Sequence, residues 1–360
     1  MRCWGTVFLF HGIVSALDAL VNVTSIPTTD VDACPTLVCD NPGEIPCTIS
    51  SPISFACPTI PLHCAWTSPT DVVLNVAISM QSNSTCDVEL VWHIDGSAIF
   101  TENVSIFAVS SLYLSAKELR VNSDVIIFAE NNMTFEVDKQ LRIDQDASLV
   151  AGGEETGKAG GSVNMSASSL ILHGSIKASG GDGQCFDDGN CTAGGIGGQV
   201  TLIYESIAEE IGHIYISGGN NPLTLSSQVA SYAGSRDDLD ESVILPQCLT
   251  GAAGRLLRIH KSDTGAREGV LLISNAFNSM DNVGDLLPLS KVRCAVTSLR
   301  LADIDPSVKS VMLQAEALVH FEHTDAWDFK GDSEILLEDA TFIVKSNNTL
   351  NLHLKQLVVR

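Results

Sequence analysis

The residues with most chemical potential are glycines, acids and basic side chains in the middle of the chain. Gly152-Gly-Glu-Glu-Thr-Gly-Lys-Ala159 approaches a phosphate-binding loop, in which backbone N–H groups at a helix start and a lysine cradle phosphate oxygens. Ala159 stands where a hydroxyl must hold magnesium, and Gly160-Gly161 would break the helix that such a loop opens. The segment therefore reads as a loop. Gly180-Gly-Asp-Gly183 is a fragment of a calcium-binding nonapeptide coil, but no second copy follows at that spacing. Asp237-Asp238 and Asp240-Glu241 offer hard oxygen atoms in no spacing specific for calcium. Both are expected to be solvated acidic loops with at most weak calcium affinity, so no metal site and no cofactor are assigned. The Gly-x-Ser-x-Gly and His-Glu-x-x-His signatures of nucleophilic and zinc hydrolysis do not occur.

The elements that must carry these residues are strands. Val88–Ile94, 111–115, 119–121, 125–128, 133–137 and 141–143 mostly alternate apolar and polar residues, the pattern of strands with one buried side. The alternation places Val163 and Met165 inward with Asn164 outward, and Met133 and Phe135 inward with Asn132 at a turn. Ser206 to Glu210 reads as one turn of helix. A unit Gly160-Gly-Ser-Val … Gly174-Ser-Ile … Ser179-Gly-Gly181 returns as Gly197-Gly-Gln-Val … Gly212-His-Ile … Ser217-Gly-Gly219, and again from Gly251. Leu112 to Val121 is echoed by Leu350 to Val359. Such repeats indicate a stacked array in which each unit buries its apolar edge only against its neighbours. The expected fold is all-β, a right-handed parallel β-helix (a β-solenoid) over residues 91–360 that continues beyond Arg360. A β-sandwich or propeller is the other architecture compatible with the alternation. His173 and His213 fall at like positions in two repeats and read as stacking residues.

The compartment is written at the N-terminus. Met1-Arg2, an apolar run to Val14 and the small residues Val14-Ser15-Ala16 form a signal peptide over 1–16, too short for a membrane span. Of 11 cysteines, Cys3 lies in that signal, leaving an even set for disulfides. Cys34, Cys39, Cys47, Cys57, Cys64 and Cys86 sit among prolines in a disulfide-rich segment, 17–90, whose pairing sequence cannot choose. Cys185–Cys191 and Cys248–Cys294 are the pairs expected downstream. Asn-X-Ser/Thr acceptors occur at Asn22, Asn83, Asn103, Asn132, Asn164, Asn190 and Asn347, more than chance supplies. With 20 basic against 43 acidic residues and a net charge of −23, nucleic acid and anionic lipid are excluded as partners. An extracellular protein or glycan is the partner expected, and a membrane tie would need an anchor beyond residue 360.

The recurring Gly-Gly-x-Val … Gly-x-Ile … Ser-Gly-Gly unit resembles the pectin-lyase-like β-helix superfamily, and is similar to large glycine-rich extracellular surface proteins of plants and oomycetes. That resemblance covers about 95–360. Pectin-cleaving hydrolases of the superfamily carry, in order, Asn-Thr-Asp, Asp-Asp, Gly-His-Gly and Arg-Ile-Lys. By that resemblance Asp187 and Asp188 match the paired carboxylates, His213 the histidine and Arg258 the arginine. Several carboxylates would share acid and water-activating roles while basic groups hold an acidic sugar. Asn164-Met165-Ser166 lacks the first acid, Ile214 replaces a glycine and His260 replaces the lysine. The expected function is therefore a non-enzymatic secreted or cell-surface glycoprotein, a structural or adhesive β-helical scaffold. The alternative is a carbohydrate-active enzyme on acidic polysaccharide, using Asp187, Asp188, His213 and Arg258.

Overall fold

The computed structural model describes residues 24–25, 34–41, 43–55, 61–80, 87–102, 104–153, 155–185, 191–219, 251–275, 277–278, 297–300, 304–314, 317–322, 327–338, 341–344 and 350–359. Among them the chain is all-β, and no helix is long and apolar enough to cross a membrane. Most strands join one 21-stranded, mostly parallel sheet of open form.

Three parallel ladders organise that sheet. The first runs through Leu62–Ser68, Val88–Ile94, 111–115, 132–136, 162–166, 199–204 and 255–260. The second joins Cys47–Ile49, Val72–Leu74, Ser97–Phe100, 118–121, 140–143, 169–172 and 206–210. The third joins Ile53–Phe55, Ile78–Met80, Ile106, 126–129, Ser148–Ala151, Ser175–Lys177 and His213–Tyr215. The chain visits the ladders in that order, again and again. Hydrogen bonds between neighbouring ladder strands therefore join residues far apart in sequence, 22 apart for His93 Nδ1 with Ser115 Oγ at 2.8 Å, 23 for Tyr113 OH to Glu136 at 2.6 Å and 36 for His173 Nε2 with Glu209 at 2.6 Å.

Alternation explains which side of each strand is buried. Val88–Ile94 buries Val88, Leu90, Trp92 and Ile94 and exposes Glu89 and His93. In register, Cys64, Leu90, Leu112, Met133, Val163, Val200 and Leu256 form one column, each no more than 2% exposed. Beside it Trp66, Trp92, Leu114, Phe135, Met165 and Leu202 form a second. Trp66 and Trp92 meet edge-to-face with ring centroids 5.5 Å apart, a favoured aromatic geometry. Val163 and Met165 point inward and Asn164 outward, and Met133 and Phe135 are buried, all as the alternation requires.

Several expectations are revised. Asn132 lies within the strand Ile126–Ile143, beside a register irregularity after Ala129, so the chain bends there without leaving the strand. Residues 206–210 continue the strand Gln199–Glu210 instead of turning into helix, because the ladder to 169–172 supplies their backbone partners. The boundary placed at residue 90 does not appear in the pairing. Strands from Cys47 to Met80 share the sheet and the core, contributing Trp66, Leu74 and Ile78 to it. Parallel stacking is also interrupted: Gly254–Lys261 turns back tightly through Gly265 and pairs antiparallel with Arg267–Ser274. Parallel pairing then resumes through Val308–Gln314, Trp327–Glu338 and Leu350–Val359.

Two disulfides, Cys34–Cys64 and Cys39–Cys47, tie residues 34–39 onto the first strands, where Leu37 and Cys39 are buried and Trp66 Nε1 donates to Pro35 O at 3.0 Å. Such bonds persist in an oxidising compartment. Thr24–Ser25 pairs antiparallel with Leu62–Ser68 and so covers part of that first edge. The backbones of Cys185 and Cys191 lie opposite one another in a short antiparallel pair. Cys57, Cys86, Cys248 and Cys294 lie outside the described residues.

The glycine pairs are not simply turn formers. Gly195 N–H donates to Gly181 O, Gly219 N–H to Gly195 O and Gly251 N–H to Gly219 O, at 2.8, 2.8 and 2.9 Å. These extended segments pack backbone on backbone, and a Cβ on Gly195 would lie 1.7 Å from Lys158 O. Gly195→Ala is expected to destabilise by about 3 kcal/mol or more, because rigid backbone must move. Its exposed neighbour makes the control: Ile196→Ala is expected within ~0.5 kcal/mol of the parent in a denaturant titration.

The corner after the second ladder is held by charge. Asp144, 7% exposed, accepts from Arg120 Nε and Nη2 at 3.1 and 3.0 Å and from Arg142 Nε at 2.5 Å. Burial alone would raise its pKa, but the hydrogen bonds and charges of Arg142 and Arg120 outweigh that and hold it below the ordinary 3.8. A lowered folded-state pKa gives stability that is present above the ordinary value and lost as pH falls through the folded one. Asp144→Asn is expected to cost about 1–2 kcal/mol at neutral pH, discounted because both arginines are partly solvated, and to flatten the acid limb of a stability–pH curve.

Candidate functional site

Two of the three ladders end their apolar columns on charges. The column Trp66 to Leu202 continues in register to Arg258, and the column Leu74, Phe100, Val121, Ile143, Leu172 continues to Glu210. The two side chains meet in a fork, Nη1 to Oε2 at 2.9 Å and Nη2 to Oε1 at 2.5 Å, and are 13% and 8% exposed. Bidentate Arg–carboxylate geometry satisfies both groups where water is scarce. Half-buried Tyr204 packs beside them. Burial pushes its phenol above the usual value, and the opposed charges of Arg258 and Glu210 act in opposite directions on it. His260 lies 6.0 Å from the Tyr204 ring, and its Nε2 meets Glu205 O at 2.9 Å.

Of the residues matched to the hydrolase pattern, Arg258 and His213 lie on different ladders. Arg258 belongs to the first ladder and is turned inward onto Glu210. His213 belongs to the third ladder and is exposed, its ring centroid 6.2 Å from that of Tyr215. No hydrogen bond or ion pair joins the two, although Glu210, which Arg258 binds, stands three residues before His213. Asp187 and Asp188 lie outside the described residues, as do the acceptors Asn22, Asn83, Asn103, Asn190 and Asn347 and the acidic cluster 237–241. Asn132 is exposed and Asn164 half-buried, with Asn164 Nδ2 donating to Ser162 Oγ at 3.2 Å. His173 Nε2 meets Glu209 at 2.6 Å. Gly152–Ala159 leads into the strand Ser162–Leu172, with no helix for a bound phosphate. Among the described residues no group of three or more His, Cys, Asp or Glu side chains sits together as metal ligands.

A groove of about 650 Å³ lies across the start of the first ladder. Its floor is Gly160-Gly161, Gly197-Gly198 and Ala252-Ala253, and one wall is Asn132, Ser162, Gln199 and Arg255. Those four wall residues are direct register partners, so they form a polar column rising one strand at a time. The floor stays bare because a Cβ on Gly160 would meet Ala178 O at 2.0 Å, and one on Gly198 would meet Gly161 O at 2.0 Å. Glu130, 3.8 Å from Lys158, closes one end, and the Arg255 guanidinium donates to Ser298 O at the other. Neither sign of charge prevails. Sequence reading missed both the inner ion pair and the groove. Only the register reveals them, although the polar Arg258 within Leu256-Leu257-Arg258-Ile259 was a signal that an inward position had changed character.

Removing one member of the inner pair strands the other without water. Arg258→Met or Glu210→Leu alone is expected to cost about 3–5 kcal/mol, whereas the double variant is expected to recover most of that, ending within ~1–2 kcal/mol of the parent. Equilibrium unfolding of the four proteins measures the coupling.

Comparison with protein-family models, with curated proteins and with solved structures finds no match for this chain.

Proposed function

We propose that the chain is a secreted, N-glycosylated protein whose three ladders are the faces of a parallel β-helix, and that it acts as a structural or adhesive scaffold rather than as a catalyst. The observation that carries the reading is the unbroken register of buried columns from Cys64 to Leu256. A stack of that kind gives a stiff, ridged body whose inter-strand segments can differ in length from one another. Right-handed winding is the sense favoured for parallel crossovers. The two disulfides agree with an oxidising compartment, and the signal peptide and acceptor asparagines extend that to secretion and glycosylation. The resemblance to the pectin-lyase-like superfamily bears on architecture and not on activity.

Charge supports the non-catalytic reading. A polyanionic substrate must meet arginine and lysine along one ridge, and this chain carries 43 acids against 20 bases. Its best-placed arginine for the enzymatic alternative, Arg258, is already bound to Glu210. The secreted protein is expected to release neither reducing ends nor unsaturated products from a panel of uronic-acid polymers. Turnover that disappears in Asp188→Asn would replace the scaffold with the polysaccharide-cleaving alternative.

A further inference from the structure

We propose that the groove along Asn132, Ser162, Gln199 and Arg255 is the docking site of the protein's own N-glycan, attached at Asn132. The inference rests on the reading of the chain as a secreted glycoprotein and names the occupant of this one groove. Asn132 begins an Asn-Met-Thr acceptor, is exposed, and lines the groove at its lower end. From there the polar column climbs three inter-strand steps to Arg255. At about 4.8 Å per step that is roughly 14 Å, the reach of a short N-glycan core.

The chemistry of the walls suits a neutral sugar chain. Ser162 offers a hydroxyl, Gln199 an amide and Arg255 a guanidinium, which together can donate to and accept from sugar hydroxyls. The floor of backbone and Ala252-Ala253 gives the apolar faces of the rings something to lie on. Glu130 and Arg255 stand at opposite ends, so a neutral ligand meets no net repulsion. No side chain of the floor competes for the space, because glycine is enforced there by the close approach of Ala178 O and Gly161 O. The neighbouring acceptor, Asn164, is not a groove residue, and its amide nitrogen already donates to Ser162. A glycan so placed would bridge four successive strands of the first ladder and cover bare backbone that water otherwise wets.

The test uses the full chain secreted from a eukaryotic host, with glycopeptide mass mapping and release by an endoglycosidase under native and denaturing conditions. The Asn132 glycan is expected to stay unprocessed oligomannose. Native release should be at least about tenfold slower than from the other occupied acceptors, a protection worth ~1.4 kcal/mol of docking. Gln199→Trp and, separately, Ser162→Tyr fill the groove from outward positions and are expected to abolish the protection while leaving the far-ultraviolet circular dichroism unchanged. Asn132 unoccupied while other acceptors carry glycan would overturn the docking and leave the glycoprotein reading standing. Release from Asn132 as fast as from the rest would also overturn it, and would leave the groove open to a free oligosaccharide. Absence of glycan at every acceptor would overturn both.

Discussion

Within the three parallel ladders of the described residues, each inner strand hydrogen-bonds with the ladder strand before it and the ladder strand after it. The chain passes through all three ladders between one strand of a ladder and the next, so backbone groups are paired along each ladder. Every other feature follows from meeting that demand repeatedly. Buried backbone groups must be paired, which forces neighbouring circuits into register. Register in turn aligns side chains into columns, and apolar residues fill most of their positions at interior density. Trp66 over Trp92 and Leu114 over Phe135 are the outcome of that alignment.

The glycine pairs answer the same constraint in a different place. Where the long segments 152–161, 178–183, 193–198 and 216–219 leave the ladders, they still carry backbone groups that need partners. They find them in each other, at separations that leave no room for a Cβ at Gly195 or Gly198. Glycine costs conformational entropy in the unfolded chain, and the hydrogen-bonded layer it permits offsets that cost. The bare floor of the groove is a by-product of this close packing. The function proposed for the molecule, a stiff extracellular body, and the site proposed on it thus share one physical origin.

Much of this architecture is legible in the sequence, and the reasons for what is not are specific. Strand sides at Val163, Met165, Met133 and Phe135 can be read because alternation depends only on near neighbours. The Gly-Gly repeats reveal stacking, but their role as packed backbone is hidden, since turn and close approach demand the same residue. Ser206 to Glu210 reads as helix because its tertiary partners at 169–172 lie outside any local window. Glu210 and Arg258 look like surface charges until the register puts them at the ends of two apolar columns. Linear order likewise does not say that His213 faces solvent from the third ladder while Arg258 turns inward from the first.

The central claim is the in-register parallel stack, and disulfide trapping tests it most directly. Glu136 and Ser166 are register partners on the outer side of the first ladder. Their Cα atoms should lie ~4.8 Å apart, within the range a disulfide spans. The double variant Glu136→Cys with Ser166→Cys is expected to form that bond quantitatively on mild oxidation, mapped by mass under non-reducing conditions, and to unfold at a higher denaturant concentration than its reduced form. Glu136→Cys with Ala167→Cys places the second thiol on the buried side and is expected to remain reduced. Bond formation in the second pair but not the first would contradict the register and the stacked architecture built on it.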